Sequence, residues 1–267
     1  IDSGVTVQGY GAFSQSSTAS IVNSGTLTGN TAGQVLSISP SAFTNNGTLQ
    51  VTNGTVTVNA TDWSSPGTLN VGGGTFNIGG TFDASSFGTV SRTGGTINIT
   101  GTYDGQGTTL DIGGTGKFGA GGLSGVTGTI KNTTLTSSDG TAYNVGTTST
   151  NGTNSVASGG ILDGATLGGN LSFSGNNSVQ ISNNITLANG ITVNKGAANW
   201  QFTTTGQQHI AVQGAAAAGS ATINNAGGAF TAGFGVGGQT LNIDSGVTVQ
   251  GYGAFSQSST ASIVNSG

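Results

Sequence analysis

The strongest constraint in this sequence is an exact repeat at long range. Residues 1–25, IDSGVTVQGYGAFSQSSTASIVNSG, recur letter for letter as residues 243–267. Divergent repeats keep only a pattern, so full identity over this length indicates one period of a tandem array followed by the start of the next unit. We therefore predict that residues 1–242 are one repeat unit and that residues 243–267 begin the next. Near-identical units in series are typical of a fibre rather than of an enzyme.

A second, shorter period lies within the repeat unit. Triplets of Gly, Thr and an apolar residue recur at nearly even intervals along its first half. They begin at Gly25, Gly47, Gly67, Gly88 and Gly128, the last after a gap of two intervals. Each triplet opens a segment in which apolar and polar residues alternate, as Leu49 and Val51 do around Gln50. Such alternation over a few residues, bounded by Gly or Asn, indicates a short strand with one buried face.

Two further columns of residues run in register with this first one. GTVTV begins at Gly54, GTFNI at Gly74, GTINI at Gly95 and GTGKF at Gly114. Large apolar residues precede the first column at the same spacing, at Ile21, Phe43 and Trp63. Three short strands and three turns in about 20–22 residues make one coil of a parallel β-helix, in which coils stack about 4.8 Å apart. Gly and Asn at the corners are expected to supply the positive φ angles of the turns.

The sequence thus predicts an all-β fold, a right-handed parallel β-helix (solenoid) of about 20–22 residues per coil. The right-handed sense follows from the preference of parallel crossover connections. One repeat unit would hold about 11 or 12 coils and extend roughly 55 Å. Ile223, Ile243 and Ile263 are evenly spaced by one coil length, which predicts that the period continues into the second copy. Residues 131–160 break the period and are interpreted as a longer coil or an outward loop.

Three strings carry a resemblance to a known class of protein. They are NNGTLQVTNGTVTVN, SPGTLNVGGGTFNIGGTFD and GTVSRTGGTINITGTYD, and the resemblance is best over residues 20–130. These strings resemble the secreted β-helical passenger regions of bacterial autotransporters and the repeat adhesins of the filamentous-haemagglutinin type. The resemblance implies export to an extracellular location at the cell surface, a long rod, and adhesion or cell–cell contact. It brings no catalytic residues to this chain.

Composition restricts the partners of the chain. Charged residues make up 4% of it, against about 25% in an ordinary soluble domain. The net charge of −4 argues against nucleic acid, which requires a basic surface. No run approaches the roughly 20 apolar residues of a membrane span. We expect adjacent repeats to associate head to tail and neutral Asn and Thr flanks to support lateral bundling, with neighbouring cells or glycans as further partners.

A polysaccharide-degrading β-helix enzyme is one alternative, and it would need clustered carboxylates. The nearest arrangement is Asp62, Asp83 and Asp104, which follow one another at intervals of one coil and so would form a ladder on one corner that could recruit a cation. The same residues can instead be turn residues whose carboxylates bond their own backbone. We predict no enzymatic activity, no cofactor, no catalytic residue and no metal site, and this ladder is the one candidate for a bound cation.

Two other charged positions have open interpretations. Arg92 occupies the slot that Val71 fills one coil earlier, so strict alternation would point it inward, with Asp111 as a partner. A local bulge that turns Arg92 outward is the alternative. His209 has no second histidine and no carboxylate nearby in the sequence, so we expect a satisfied or exposed side chain rather than a ligand.

Two further functions remain open as alternatives. A glycan-binding adhesin module needs an exposed patch, and the candidates are residues 131–160 or the aromatic residues Tyr103, Tyr143 and Trp200. An ice-binding protein needs flat paired rows of Thr, and the Thr of each Gly-Thr-apolar triplet is expected to point outward. Paired Thr-x-Thr segments are sporadic, however, and a Thr and Asn ladder that stabilises the sheet explains the same column.

Overall fold

The computed structural model describes residues 1–14, 18, 20–146, 159–169, 171–214, 219–258 and 260–267. Parallel strands dominate these residues and stack as a β-solenoid of about 11 turns, which confirms the predicted fold class. A 3₁₀ helix spans Ala84–Ser86. The chain divides into two compact units, the first made of Ile1–Asp104 and Gly113–Ser124, the second of Gly105–Ile112 and Gly125–Gly267.

The first unit is built from short parallel strands, numbered here in chain order. Their bounds are β1 Thr6–Gly9, β2 Gly11–Ser14, β3 Ser20–Asn23, β4 Thr26–Gly29, β5 Val35–Ser39, β6 Ala42–Asn45, β7 Thr48–Val51, β8 Thr55–Val58, β9 Asp62–Val71, β10 Thr75–Ile78, β11 Thr81–Phe82, β12 Phe87–Arg92, β13 Thr96–Ile99 and β14 Thr102–Asp104.

These strands form three parallel columns, to each of which every turn contributes one strand. The first column joins β1, β4, β7, the end of β9 and β12. The second joins β2, β5, β8, β10 and β13, and the third joins β3, β6, the start of β9, β11 and β14. The predicted alignment of Ile21, Phe43 and Trp63 is confirmed in the third column.

The core of the first unit follows from the alternation in each strand. Leu27, Leu49 and Leu69 align in the first column and are at most 1% exposed, whereas the Thr before each of them is only half-buried. An aromatic cluster fills one side of the core, with ring centroids 5.4–6.1 Å apart in tilted or edge-on contacts. Its members are Trp63, Phe82, Phe87, Tyr103 and Phe118. Edge-on contacts are the favoured geometry for aromatic pairs.

The glycines of the triplets are required by close stacking of successive turns. A Cβ on Gly47 would lie 2.1 Å from the Gly25 carbonyl oxygen, and a Cβ on Gly67 would lie 2.2 Å from that of Gly47. The expected positive φ occurs instead in the second column, where Gly54 has a φ of 71°. Glycine therefore serves two purposes at the corners: it allows close approach of successive turns, and it adopts positive φ angles.

The strand expected at Gly114 is absent from the structure. Residues 113–122 form three successive turns, in which the amides of Gly116, Gly119 and Gly122 each donate to the carbonyl three residues earlier. In GTGKF, Gly116 stands where the other members of this column carry an apolar residue. A strand there would bury no side chain at its first inward position, so the segment turns instead. Phe118 still reaches the core and is 1% exposed.

The second unit continues the numbering of strands. Their bounds are β15 Thr109–Asp111, β16 Gly125–Val126, β17 Thr129–Lys131, β18 Thr134–Thr136, β19 Tyr143–Asn144, β20 Ile161–Leu167, β21 Phe173–Ser174, β22 Ser178–Leu187, β23 Thr192–Gly196, β24 Asn199–Phe202, β25 Gly206–Val212, β26 Ala221–Ala232, β27 Gln239–Ile243, β28 Val247–Gln257 and β29 Ser262–Asn265. Long strands such as β22 and β26 pass around a corner and contribute to two columns each.

Turn lengths vary in the second unit. Ile161 pairs with Gln180 across a short turn, whereas Ile210 pairs with Ile243 across a much longer one. Ile223 consequently pairs with Val249 rather than continuing to Ile243, so the even spacing of Ile223, Ile243 and Ile263 does not mark one column. The irregular stretch 131–160 contains the last residue of β17 and all of β18 and β19. Its residues 147–158 lie outside the described residues.

Candidate functional site

The structure does not bring the three predicted ladder carboxylates into one row. Asp62 pairs with Thr81, two residues before Asp83, whereas Asp83 and Asp104 follow the aligned residues Phe82 and Tyr103. Among the described residues, no group of three or more His, Asp or Glu side chains is placed to hold a metal ion. Asp62 is therefore out of register with the other two carboxylates.

Asp83 takes the alternative role of a turn residue. Its Oδ1 accepts hydrogen bonds from the amides of Ser85 at 2.8 Å and Ser86 at 3.0 Å. The Ser86 hydroxyl in turn accepts from the Asp83 amide at 3.1 Å, so the two residues cap the 3₁₀ helix reciprocally. The Ser85 hydroxyl, which also donates to this carboxylate, is the main cause that holds the pKa of Asp83 below its usual value.

Arg92 supports a loop rather than an ion pair. It lies opposite Val71 at the end of β12, whereas the break in register of this strand lies at its start, between Phe87 and Thr89. Its guanidinium donates to the carbonyl oxygens of Gly94, Gly95 and Gly122 and to the Ser124 hydroxyl. Partial burial lowers the pKa of Arg92 below its ordinary value. The Asp111 carboxylate accepts from the amide of Ser138 at 3.1 Å and from its hydroxyl.

The aromatic residues suggested for adhesion belong to the core. Tyr103 and Trp200 are 0% exposed and Tyr143 is 1% exposed, so that prediction of surface contacts was wrong. In the first unit Tyr103 packs against Phe82, and in the second unit Tyr143 and Trp200 both pack against Phe173, all in tilted or edge-on contacts. The exposed aromatic side chains include Tyr10 at 64% and Tyr252 at 72%, which occupy the same position in the two copies of the repeated sequence.

The two copies of the repeated sequence pair on opposite sides, and this arrangement is the best candidate for a functional site. In the N-terminal copy, residues 1–25, strands β1, β2 and β3 pair with the strands that follow them, β4, β5 and β6. In the C-terminal copy, residues 243–267, β28 and β29 pair with strands that precede them, β26 and β27. The same sequence can therefore pair along either of its two edges. The N-terminal copy pairs along one edge, and the C-terminal copy pairs along the other.

Two backbone hydrogen bonds are nevertheless the same in both copies. The amide of Ser24 donates to the carbonyl of Ile1 at 2.8 Å, and the equivalent bond from Ser266 to Ile243 is also 2.8 Å. The turn bonds from Val5 to Asp2 and from Val247 to Asp244 are each 3.1 Å. These two bonds therefore form whichever side of the copy is covered.

Residues buried in one copy are exposed in the other. Val247 is 2% exposed because the preceding turn covers it, whereas the equivalent Val5 is 47% exposed. Asn23 is 0% exposed and donates from Nδ2 to Asn45 Oδ1 at 2.8 Å, whereas the equivalent Asn265 is exposed. Buried polar groups require such partners. Each side of the copy therefore presents residues suited to burial under a neighbouring turn.

Equivalent residues of the two copies pair with apolar residues on their opposite edges. If one copy had both sets of neighbours, these pairings would form continuous columns. Val249 lies opposite Ile223, and its equivalent Val7 lies opposite Leu27. A second position behaves in the same way: Phe255 faces Phe230, and the equivalent Phe13 faces Ile38. At a third position, Ile263 faces Leu241, and the equivalent Ile21 faces Phe43. Apolar residues stand on both sides at each of these positions, so the register of one unit fits the next.

A polar contact anchors the C-terminal copy from its preceding side. His209 Nδ1 lies 2.8 Å from Asp244 Oδ1 and 3.0 Å from Oδ2. The prediction of a satisfied side chain at His209 is confirmed. Its partner Asp244 is distant in sequence, and the long turn after β25 brings the two residues together. Asp2, the equivalent position in the N-terminal copy, is exposed. Sequence spacing alone gave no signal for this pair.

The outer side of the C-terminal copy is concave, with both apolar and polar residues in its lining. A cavity of about 300 Å³ opens there, lined by Ile243, Val247, Thr248, Val249, Phe255, Asn265 and Gly267. Phe255 is 50% exposed at its rim. In the N-terminal copy the equivalents of Val249 and Phe255 are covered by Leu27 and Ile38, so the same surface accepts apolar side chains of a further turn.

Among the described residues, no helix is long and apolar enough to cross a membrane. No protein-family profile, curated protein or solved structure matches this chain. The features that bear on function are therefore the β-solenoid fold and the two pairing edges of the repeated sequence.

Proposed function

We propose that this chain is a structural repeat of a long extracellular fibre at the cell surface, in which units follow one another head to tail as one continuous β-solenoid. In this proposal the fibre supports adhesion or contact with neighbouring cells or matrix. The observation that carries it is that residues 1–25 pair with the strands that follow them, whereas the identical residues 243–267 pair with the strands that precede them. A sequence whose two sides are each buried under a different neighbour is suited to the interior of an array.

The low charge of the chain supports the same proposal. Adjacent turns of a solenoid stack at about 4.8 Å, and like charges at that distance repel one another. Uncharged Thr and Asn instead form ladders between turns, as between Asn98 Nδ2 and Asn77 Oδ1 at 3.0 Å. Covering each terminal edge with the next unit also removes the unpaired strands that promote aggregation.

The test is a longer chain in which residues 1–242 precede the full 267-residue sequence. We expect its particles, imaged by electron microscopy, to be longer than those of the parent chain by roughly 55 Å, since about 11 or 12 turns are added at the spacing of strands. Two bodies joined by a flexible connection, or an increment twice as large, would contradict a continuous solenoid. Labelling of intact cells with an antibody against the chain tests the proposed location.

Glycan binding is a second candidate, favoured by one observation. Tyr10 and Tyr252 are exposed in both copies and lie between glycines, so each repeat would display one protruding aromatic ring. Aromatic rings with one polar end are frequent in binding surfaces. In a glycan array, a ligand of the parent chain should be lost on Tyr10→Ala with Tyr252→Ala. Retained binding by this double variant would assign recognition to another surface.

A further inference from the structure

We propose that the second unit forms an internal covalent cross-link, an isopeptide bond between the side chains of Lys195 and Asn225. The bond joins strand β23 to strand β26, which pairs with it on the next turn of the solenoid. The reaction needs only these two side chains, so the site modifies its own chain. This inference goes beyond the proposed fibre and does not depend on it.

Both side chains are buried at one break in register. Asn194 lies opposite Asn224, and the next residue of each strand turns into the core, which places Lys195 beside Asn225. The pairing then shifts, so Asn225 lies opposite Gly196 and the backbone of Lys195 has no partner in β26. Lys195 is 0% exposed and Asn225 is 6% exposed. Lysine is rarely buried to this extent, so its position requires a specific explanation.

The reacting atoms are close together. Lys195 Nζ donates to Asn225 Oδ1 at 2.9 Å. Because a carbonyl carbon lies about 1.23 Å from its oxygen, Nζ is at most about 4.1 Å from Cγ of the carboxamide. Groups poised to react are held about 3–3.5 Å apart, so a movement of roughly 1 Å brings Nζ to Cγ. The flexible stem of lysine permits such a movement.

Neighbouring groups hold the two side chains in place. Lys195 Nζ also donates to the Ala198 carbonyl oxygen and lies 4.6 Å from the centre of the Phe230 ring. Asn225 Nδ2 donates to the Gly228 carbonyl oxygen at 2.9 Å, which keeps the carboxamide from turning away. A Cβ on Gly228 would lie 2.5 Å from Nζ, so the glycine leaves the room that the amine occupies.

Burial also favours the reactive form of the lysine. Only the neutral amine has a lone pair with which to attack a carbonyl carbon. Burial lowers the pKa of Lys195 to about 7, so a large share of this amine is neutral near neutral pH. After the bond has formed, the nitrogen belongs to an amide and no longer titrates. Any effect of pH on stability through Lys195 is therefore a property of the chain that still has the free amine.

The reaction balances with the atoms of the two side chains. The lone pair of Lys195 Nζ attacks Cγ of Asn225, and the Nζ–Cγ bond forms while the carbonyl electrons move to Oδ1. A proton then passes from Nζ to Nδ2, which are now bonded to the same carbon. The carbonyl forms again, the Cγ–Nδ2 bond breaks, and ammonia leaves with the electron pair of that bond. The product is a secondary amide.

The bond closes a covalent ring from residue 195 to residue 225. Without it, these two turns are held by the pairing of β23 with β26 and by side-chain contacts. A force along the solenoid can separate hydrogen-bonded turns, but it cannot separate turns that share a covalent bond. Ring closure also reduces the entropy of the unfolded chain, as a disulfide does.

Mass spectrometry of the full-length chain tests the bond. We expect the folded chain, kept in buffer above the pKa of Lys195, to be lighter than its sequence by one molecule of ammonia. Trypsin should then fail to cut the denatured chain after Lys195 and should leave residues 132–267 as one fragment, because a bonded lysine carries no charge. Further cleavage after Trp200 should open the ring and yield a branched peptide that contains both Lys195 and Asn225.

Three variants assign the branched peptide to this pair. Lys195→Met and Asn225→Ala should each give none, since each removes one partner. Asn224→Ala is the matched control, because the side chain of Asn224 bonds Asn194 instead of the lysine, and it should still give the branched peptide.

The unsubstituted chain decides the proposal even if a variant does not fold. Full mass after this incubation would overturn the cross-link. Loss of ammonia without the branched peptide would overturn it as well, since an asparagine that cyclises onto its own backbone loses the same molecule. A branched peptide that persists in Asn225→Ala would assign the bond to another residue and so reject this pair.

Discussion

His209 Nδ1 lies 2.8 Å from Asp244 Oδ1, which joins the single histidine of the chain to a residue of the repeated sequence. In a tandem array this contact would recur between every unit and the first residues of the next one. It is therefore a junction contact, and its equivalent Asp2 provides a matched control within the same molecule.

The first prediction concerns this pair. Asp244→Ala should lower the free energy of unfolding of the second unit by about 0.5–1 kcal/mol, since a partly exposed charged contact contributes no more than that. Asp2→Ala, which changes the same residue type in the same local sequence, should have no measurable effect on the first unit. Urea denaturation followed by circular dichroism measures both. Equal losses for the two variants would mean that the His209 contact adds nothing.

A second prediction uses the difference in burial between the copies. Val247→Ala should destabilise the chain by about 2 kcal/mol, because Val247 is 2% exposed and loses two buried carbons. Val5→Ala should cost less than about 0.5 kcal/mol, as expected of a surface position. Two equal costs in dilute solution would contradict the assigned burial.

A third prediction concerns the stacking of turns. Gly47→Ala should cost about 3 kcal/mol, because its Cβ would lie 2.1 Å from the Gly25 carbonyl oxygen and the backbone would have to move. Gly72→Ala is the control, since a Cβ there has no neighbour closer than 3.9 Å. Thermal denaturation of the two variants should show a large and a negligible shift, respectively. A tolerated alanine at residue 47 would show that the turns can separate without cost.

The fourth prediction concerns a buried lysine in the second unit. Lys195 is 0% exposed, and its Nζ donates to the Ala198 carbonyl oxygen and to Asn225 Oδ1, the latter at 2.9 Å. The same atom lies 4.6 Å from the centre of the Phe230 ring. Burial lowers the pKa of Lys195 from 10.5 to about 7, because the charged form is poorly solvated there.

Stability should consequently rise with pH above about 7. In the unfolded chain lysine keeps its proton to about pH 10, so between these values the unfolded state binds more protons than the folded state, and deprotonation favours folding. Each pKa unit corresponds to about 1.4 kcal/mol. Burial raises the pKa of Tyr143, which opposes this trend near and above pH 10, so urea denaturation should be compared at pH 7 and pH 9. Lys195→Met should remove most of the increase; an unchanged slope would contradict the assignment.

Most of the first unit could be predicted from sequence to the level of individual columns, the exceptions being Asp62 and the missing strand at Gly114. Its turns are nearly equal in length, so residues spaced by one coil, such as Ile21, Phe43 and Trp63, do pair. In the second unit the turns are unequal, short between Ile161 and Gln180 and much longer between Ile210 and Ile243. Fixed spacing cannot identify partners there, which explains why Ile223 and Ile243 fall into different columns.

The sequence by itself determined the period of the strands in the first unit, the inward residues of those strands and the identity of the two copies, because alternation and repetition are local properties of the chain. Only the tertiary structure decided which residues meet across turns. It buried Tyr103, Tyr143 and Trp200, moved Asp62 out of line with Asp83, and brought His209 to Asp244. These contacts depend on the length of each turn and on which edge of a copy is covered, and neither is written in the residues that make the contact.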